Sequence, residues 1–334
     1  MRRLGELKQL IYILPMAKAK LQAQDNDLFS LKEKVQEFLA SQRQVMLILG
    51  YSGAGKSTFN RHLEHQLWTD YKHGESIPLY INLPTIDDPE HDLIEKQLLQ
   101  YNFSEDHIQE MKHHRQFILI CDGYDERQLK INFHTTNQLN QPGQWRSKIV
   151  ISCRSQFLES DYRSRFQPQP VDWDQSTWTN LFQEAVIAPS SKEQIEEYVT
   201  CYVPLEPRPW VTGDYMRMLT TIPNLMDLVK IPFLLPLALE ALPSIAEGKQ
   251  DLLTVRVTRV QLYDIFVERW LSVHRGRLQD NDLPQDDRRA FNELLGAGFV
   301  SMGTDYAMRL ALANFERQNG NPVVQYTHFH DHDT

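Results

Sequence analysis

The sequence predicts an α/β protein: a three-layer αβα core around a parallel sheet, continued by helical segments. Three observations carry this expectation. Short apolar runs at Val45–Leu49, Ile77–Leu83, Phe117–Cys121 and Lys148–Cys153 alternate with stretches of helical spacing. The runs are continuously apolar, as strands covered on both faces must be. From about residue 190 the strand-like runs give way to helical spacing alone. With 41% hydrophobic residues in a chain of 334, the protein can build a sizeable core of about two domains.

Residues 1–43 read as a helical lead-in, because Leu28, Leu31, Val35, Phe38 and Leu39 share one helical face. Residues 44–189 hold the core, with Phe182–Ala188 as a fifth strand after an irregular insertion at Gln156–Asn180. Residues 190–250 read as a helical domain. Ser191 and Gln194 have capping-box spacing, and Met216–Leu242 is helical with breaks at Pro223, Pro232 and Pro236. Gly248–Asp251 reads as a linker. In the final segment, 255–334, Val260, Tyr263, Phe266, Val267, Trp270 and Leu271 line one face of an amphipathic helix.

The charge balance excludes some partners. Thirty-five basic against 44 acidic residues leaves −9, without the basic footprint of nucleic-acid binding. No apolar run approaches the roughly 20 residues that span a bilayer. LIYILPMA near the N-terminus is too short and too interrupted by charge for a secretory signal. Three cysteines cannot form a closed disulfide framework, and Cys121 and Cys153 sit inside apolar runs. A reducing, cytoplasmic location is expected.

The segment that carries chemistry is Gly50-Tyr51-Ser52-Gly53-Ala54-Gly55-Lys56-Ser57-Thr58. It matches G-x-x-x-x-G-K-[ST], directly after the strand Val45–Leu49 and at the start of the helix bearing Phe59, Leu63 and Leu67. The glycines Gly50, Gly53 and Gly55 let the backbone curl so that successive N–H groups, including those of Ser52 and Ala54 and continuing through Thr58, face phosphate oxygens. Lys56 is expected to bridge the β- and γ-phosphates, and the Ser57 hydroxyl to ligate magnesium.

The strand Phe117–Cys121 ends in Asp122-Gly123-Tyr124-Asp125-Glu126. Asp122 is expected beside the P-loop strand, holding a magnesium-bound water. Asp125 or Glu126 would polarise the attacking water. Arg154, closing Lys148–Cys153, would point into the ligand crevice and read the γ-phosphate.

Taken together, these residues resemble a NACHT domain, the P-loop module of the signal-transducing NTPases with numerous domains. The resemblance rests on Gly50–Thr58, on the D-G-x-D-E run at Asp122–Glu126 and on Ser152-Cys153-Arg154. It extends to Glu184–Ile195, to Asn224–Leu237 and, weakly, to residues 259–334. Fungal NACHT proteins with C-terminal repeats are the nearest subgroup. The resemblance implies that Pro232 packs on the adenine and that Tyr12–Pro15 covers its other side. It also implies a winged-helix domain in 255–334, in which His328 meets the β-phosphate. The family continues into a further helix and a repeat sensor, whereas here Phe329-His330-Asp331-His332-Asp333-Thr334 ends the chain, so an incomplete winged-helix domain and a fragment or minimal form are expected. The alternating histidines read as a solvated tail, not a metal site.

The function expected is a slow nucleotide-dependent switch using ATP (or GTP) and Mg2+, with ATP-magnesium between core and helical domain. No N-K-x-D guanine-reading motif is present, which favours adenine. Protein partners and self-association through the core are implied by the resemblance. Two alternatives remain open: a phosphotransferase with Arg163 and Arg165 as lid arginines, and a nucleotide-binding module without hydrolysis.

Overall fold

The computed structural model describes residues 11–23, 27–127, 131–158, 161–168, 179–206, 209–246, 257–258, 260–265, 267–268, 271–272 and 298–317. The chain divides into two compact units, and Tyr12–Ser190 forms most of the first. Its strands are β1 (Met16–Lys18), β2 (Phe29–Ser30), β3 (Val45–Gly50), β4 (Ile77–Asn82), β5 (Gln116–Asp122), β6 (Arg146–Arg154) and β7 (Phe182–Ile187). They form one sheet in the order β2-β1-β7-β3-β6-β5-β4. The strands from β7 to β4 are all parallel, while β1 and β2 add antiparallel at the β7 edge.

Alternation along each strand builds two cores. Leu47, Leu49, Leu119, Ile149 and Ile151 face one side, where α3 (Leu93–Gln100) and α4 (Glu105–His114) contribute Ile94, Leu98 and Ile108. Met46, Ile48, Ile120, Val150 and Ala185 face the other. They meet Val35 and Phe38 of α1 (Leu31–Ala40) and Phe59 and Leu63 of α2 (Lys56–Asp70). Strands covered on both faces explain the continuous apolar runs. The α/β expectation, with helices on both faces of a mostly parallel sheet, is met.

Three expectations need correction. The lead-in is not helical throughout: β1 pairs with β7, Ala17 opposite Ile187, and only Leu31–Ala40 is helical. A sheet edge presents unpaired backbone groups, and pairing them outweighs local helical spacing. Ser30 caps α1, so Leu28 precedes the helix and is exposed. Asp122 is not on the strand beside the P-loop strand, because β6 lies between β3 and β5. Linear spacing carries no lateral order: the chain crosses from β3 to the far edge at β4 and returns through β5 and β6.

The third correction lies in the second unit, most of which follows Ser190. It contains α6 (Lys192–Tyr202), α7 (Thr212–Thr221), α8 (Leu225–Val229), α9 (Leu234–Ala246) and α10 (Phe299–Arg317); α5 (Phe133–Thr136) belongs to the core. Ser191 and Gln194 form the expected capping box. Pro223 and Pro232 fall between helices, but Pro236 sits in the first turn of α9. There its missing N–H has no intrahelical partner to lose. Tyr202, Tyr215, Leu219, Val229, Leu239 and Leu242 are buried together in this unit. Beyond residue 255 the described residues are mainly helical. Leu271 is buried there as expected, but Leu262, outside the expected face, is buried too while Val260 and Tyr263 are exposed, so the buried face only partly matches the expected one. Phe266, Trp270, the linker at Gly248–Asp251 and most of the expected winged-helix domain lie outside the described residues. No helix among the described residues is long and apolar enough to cross a membrane.

Buried polar groups tie the core's layers together. The Lys148 ammonium donates to the carbonyls of Phe38 (3.0 Å) and Arg43 (2.9 Å), and also to that of Ser41, closing the end of α1. Replacing Lys148 with Met leaves these carbonyls without their charged donor. A loss of about 2 kcal/mol in urea unfolding is expected. His134 pairs its Nε2 with Gln44 Oε1 at 2.7 Å, and burial lowers its pKa to about 4. The folded protein therefore disfavours imidazolium. This contribution is complete above pH 6.5 and is lost as pH falls towards 4, by about 3 kcal/mol in all. His134→Gln should flatten that part of the stability profile, read as the difference between variant and parent unfolding free energies.

Candidate nucleotide site

The parallel strands deliver their C-terminal ends to one edge of the sheet, where open α/β sheets bind ligands. At the end of β3 the chain turns through Gly53 (φ 78°) and Gly55 (φ 91°) into α2. Those angles belong to the left-handed region that glycine enters without strain. Gly50 is tightly surrounded: a Cβ there would lie 3.1 Å from that of Ala54. Ser30, Ser104 and Ser191 cap α1, α4 and α6 with their hydroxyls, whereas Gly55 at the start of α2 has no side chain to do so. The first-turn N–H groups of Lys56, Ser57 and Thr58 thus keep their capacity for an anion. Lys56 Nζ donates to Gly50 O (2.9 Å) and Tyr51 O (3.1 Å). Burial lowers its pKa, and Asp125 opposes that shift.

Asp122 ends β5 only 6% exposed. Its Oδ1 accepts hydrogen bonds from Asn60 Nδ2 (2.8 Å) and from the Ser152 hydroxyl, and its Oδ2 accepts from the Tyr80 hydroxyl (2.9 Å). Sequence reasoning singled out none of the three for this task. The one signal for Asn60 was an amide next to Phe59 on the apolar face of α2, where a buried polar group needs a partner. Tyr80 lay hidden in an apolar strand.

The turn Tyr124–Arg127 follows Gly123, whose φ is 79° and where a Cβ would meet Pro84 at 3.0 Å. Asp125 and Glu126 do not stand free on this turn. Asp125 Oδ2 meets Arg154 Nε (3.1 Å) and its Oδ1 accepts from the Arg154 backbone N–H (2.9 Å). Glu126 Oε1 meets Arg154 Nη2 at 3.1 Å. Asp125 is therefore a buried brace between turn and β6, while Glu126, 40% exposed, is the acid with access to solvent. Gly50 and Arg154 are register partners across β3 and β6, so this cluster adjoins the P-loop.

The residues fit a nucleotide with magnesium. The uncapped first turn suits phosphate, and the hydroxyl of Ser57 with the carboxylate of Asp122 offers the oxygen donors a hard cation takes. Gly50–Thr58, Asp122, Asp125, Glu126 and Arg154 gather in the first unit. Pro232 is half-buried in the turn between α8 and α9 of the second, and His328 lies outside the described residues. A cavity of about 240 Å³, lined by Asp92, Lys112, Asn137 and Trp145, holds none of these residues.

Fold and site together define a P-loop NTPase core. Residues 44–205 match the family model of the NACHT domain, and this segment is a NACHT domain, a P-loop NTPase module of the STAND class. Nucleotide binding follows from that membership. No curated protein matches the chain.

The strain at Gly123 can be measured directly. Gly123→Ala forces a left-handed backbone angle on alanine and presses its Cβ on Pro84. A loss of about 1–3 kcal/mol is expected, measured as a lower thermal midpoint than that of a Gly213→Ala control, where a Cβ meets nothing within 4 Å.

Proposed function

We propose that this NACHT core binds ATP with magnesium at Gly50–Thr58 and hydrolyses it slowly, as the timing step of a signalling switch. The observation that carries this reading is Arg154, held between Asp125 and Glu126 beside the P-loop strand. A γ-phosphate competes with Glu126 for the same guanidinium. Nucleotide state would thereby set the geometry of the turn and of β6, the kind of local charge exchange that biases a two-state element.

In this reading Lys56 leaves its two carbonyls for the β- and γ-phosphates, and the N–H groups of α2 hold the phosphate chain. Magnesium, when bound, neutralises developing charge on the phosphates. Ser57 and Asp122 would hold it. Glu126, released from Arg154, orients the attacking water and takes its proton, while Asp125 keeps the arginine in place. By resemblance alone, Pro232 is assigned to the adenine and His328 to the β-phosphate. Dependence of domain docking and self-association on nucleotide, and affinity with fungal NACHT proteins, rest on the same resemblance. The proposed cytoplasmic location draws support from the buried free thiols of Cys121 and Cys153.

The phosphotransferase alternative loses support, since Arg163 pairs with buried Glu184 at 3.2 Å. The non-hydrolysing module keeps one observation in its favour: a glutamate engaged by arginine is a poor base. Turnover of γ-labelled ATP, with and without small hydroxyl acceptors, separates the three by phosphate release, phosphoryl transfer or neither. Lys56→Ala should weaken ATP binding by roughly 100-fold or more. Glu126→Gln should leave affinity nearly intact and slow phosphate release by roughly 100-fold. Equal affinity in Lys56→Ala and the parent would remove the site assignment.

A further inference from the structure

The cradle around Asp122 is asymmetric. An ionised carboxylate offers about two lone pairs on each oxygen. Oδ1 receives two donors, Asn60 and Ser152, whereas among the described residues Oδ2 receives Tyr80 alone. The oxygen with accepting capacity to spare is the one whose direction Tyr80 sets. Tyr80 reaches it from β4, where Asn82 is the register partner of Asp122. The Arg61 guanidinium covers the Tyr80 ring, 3.4 Å from its centroid, and is itself tied to Glu64 at 3.2 Å. A cation over the ring is attracted to its face and favours a polarised phenol.

We propose that Tyr80 is a positioning residue for magnesium: its hydroxyl orients Asp122 so that Oδ2 holds a water bound to the ion of the nucleotide complex. Asn60 and Ser152 anchor the other oxygen, which leaves Tyr80 to set the direction of Oδ2. This rests on the nucleotide-site reading above and adds a residue on the second strand from the P-loop's neighbour. It makes a demand that a packing role does not. Removing one hydroxyl should change the magnesium requirement without changing how the nucleotide binds in the absence of metal.

The test is binding of a fluorescent ATP analogue to the full chain, once in EDTA and once across a magnesium titration. Tyr80→Phe keeps the ring beneath Arg61 and removes only the donor. Its half-saturating magnesium concentration should rise roughly three- to tenfold, with affinity in EDTA unchanged. Ser152→Ala, which unloads the other oxygen, should shift it in the same direction by less. Asp122→Asn should raise it at least as far as Tyr80→Phe. Adding Tyr80→Phe to Asp122→Asn should then change nothing more, since the tyrosine acts through the aspartate. An unchanged magnesium requirement in Tyr80→Phe, with Asp122→Asn shifted, overturns the inference. So does a Tyr80→Phe loss of equal size in EDTA. An Asp122→Asn variant with the parent's magnesium requirement overturns the site reading instead.

Discussion

The parallel alignment of β7, β3, β6, β5 and β4 is the constraint on which the rest depends. Parallel strands force each connection to cross a face of the sheet, and those crossings supply the helices that bury both faces. They also bring every strand's C-terminal end to the same edge. The loop after Gly50, the carboxylate of Asp122 and the guanidinium of Arg154 meet there although more than a hundred residues separate the first from the last. Antiparallel pairing would have sent alternate ends to opposite sides.

At that edge charge is matched before any ligand chemistry is considered. Arg154 answers Asp125 and Glu126, and Asp122 is answered by neutral donors from α2, β4 and β6. The difference matters. A carboxylate held by an arginine can exchange partners when a competing anion arrives, whereas one held by an amide and two hydroxyls has no charged partner to exchange. The site thus combines a carboxylate held by neutral donors with an arginine held by two acids, and the proposed magnesium and phosphate roles rest on that difference.

Much of this was legible in the residues. Continuous apolar runs at Val45–Leu49 and Phe117–Cys121 announce buried strands, because no half-exposed strand tolerates them. The P-loop is legible because its chemistry is local: glycine angles, helix start, lysine and hydroxyl all lie within nine consecutive residues. Ser191 and Gln194 were readable as a cap for the same reason. Less legible were the residues whose role depends on distant partners. Tyr80 looks like one more apolar strand residue, and Asn60 like a polar interruption of a helix face, until β4 and α2 are folded against β5. Leu28 suited a helical face, but Ser30 caps the helix after it and β1 completes an edge that exists only once the sheet has formed.

Local spacing was enough for the buried strands of the core, the phosphate loop and the acids that follow β5, since each depends on neighbours a few positions away. Only the tertiary structure decided that β6 separates β5 from β3, that Tyr80, Asn60 and Ser152 hold Asp122, and that Arg154 joins Asp125 to Glu126. Lateral strand order and side-chain pairing are set by how buried faces and unpaired polar groups are satisfied across the whole sheet. No spacing along the chain contains that information.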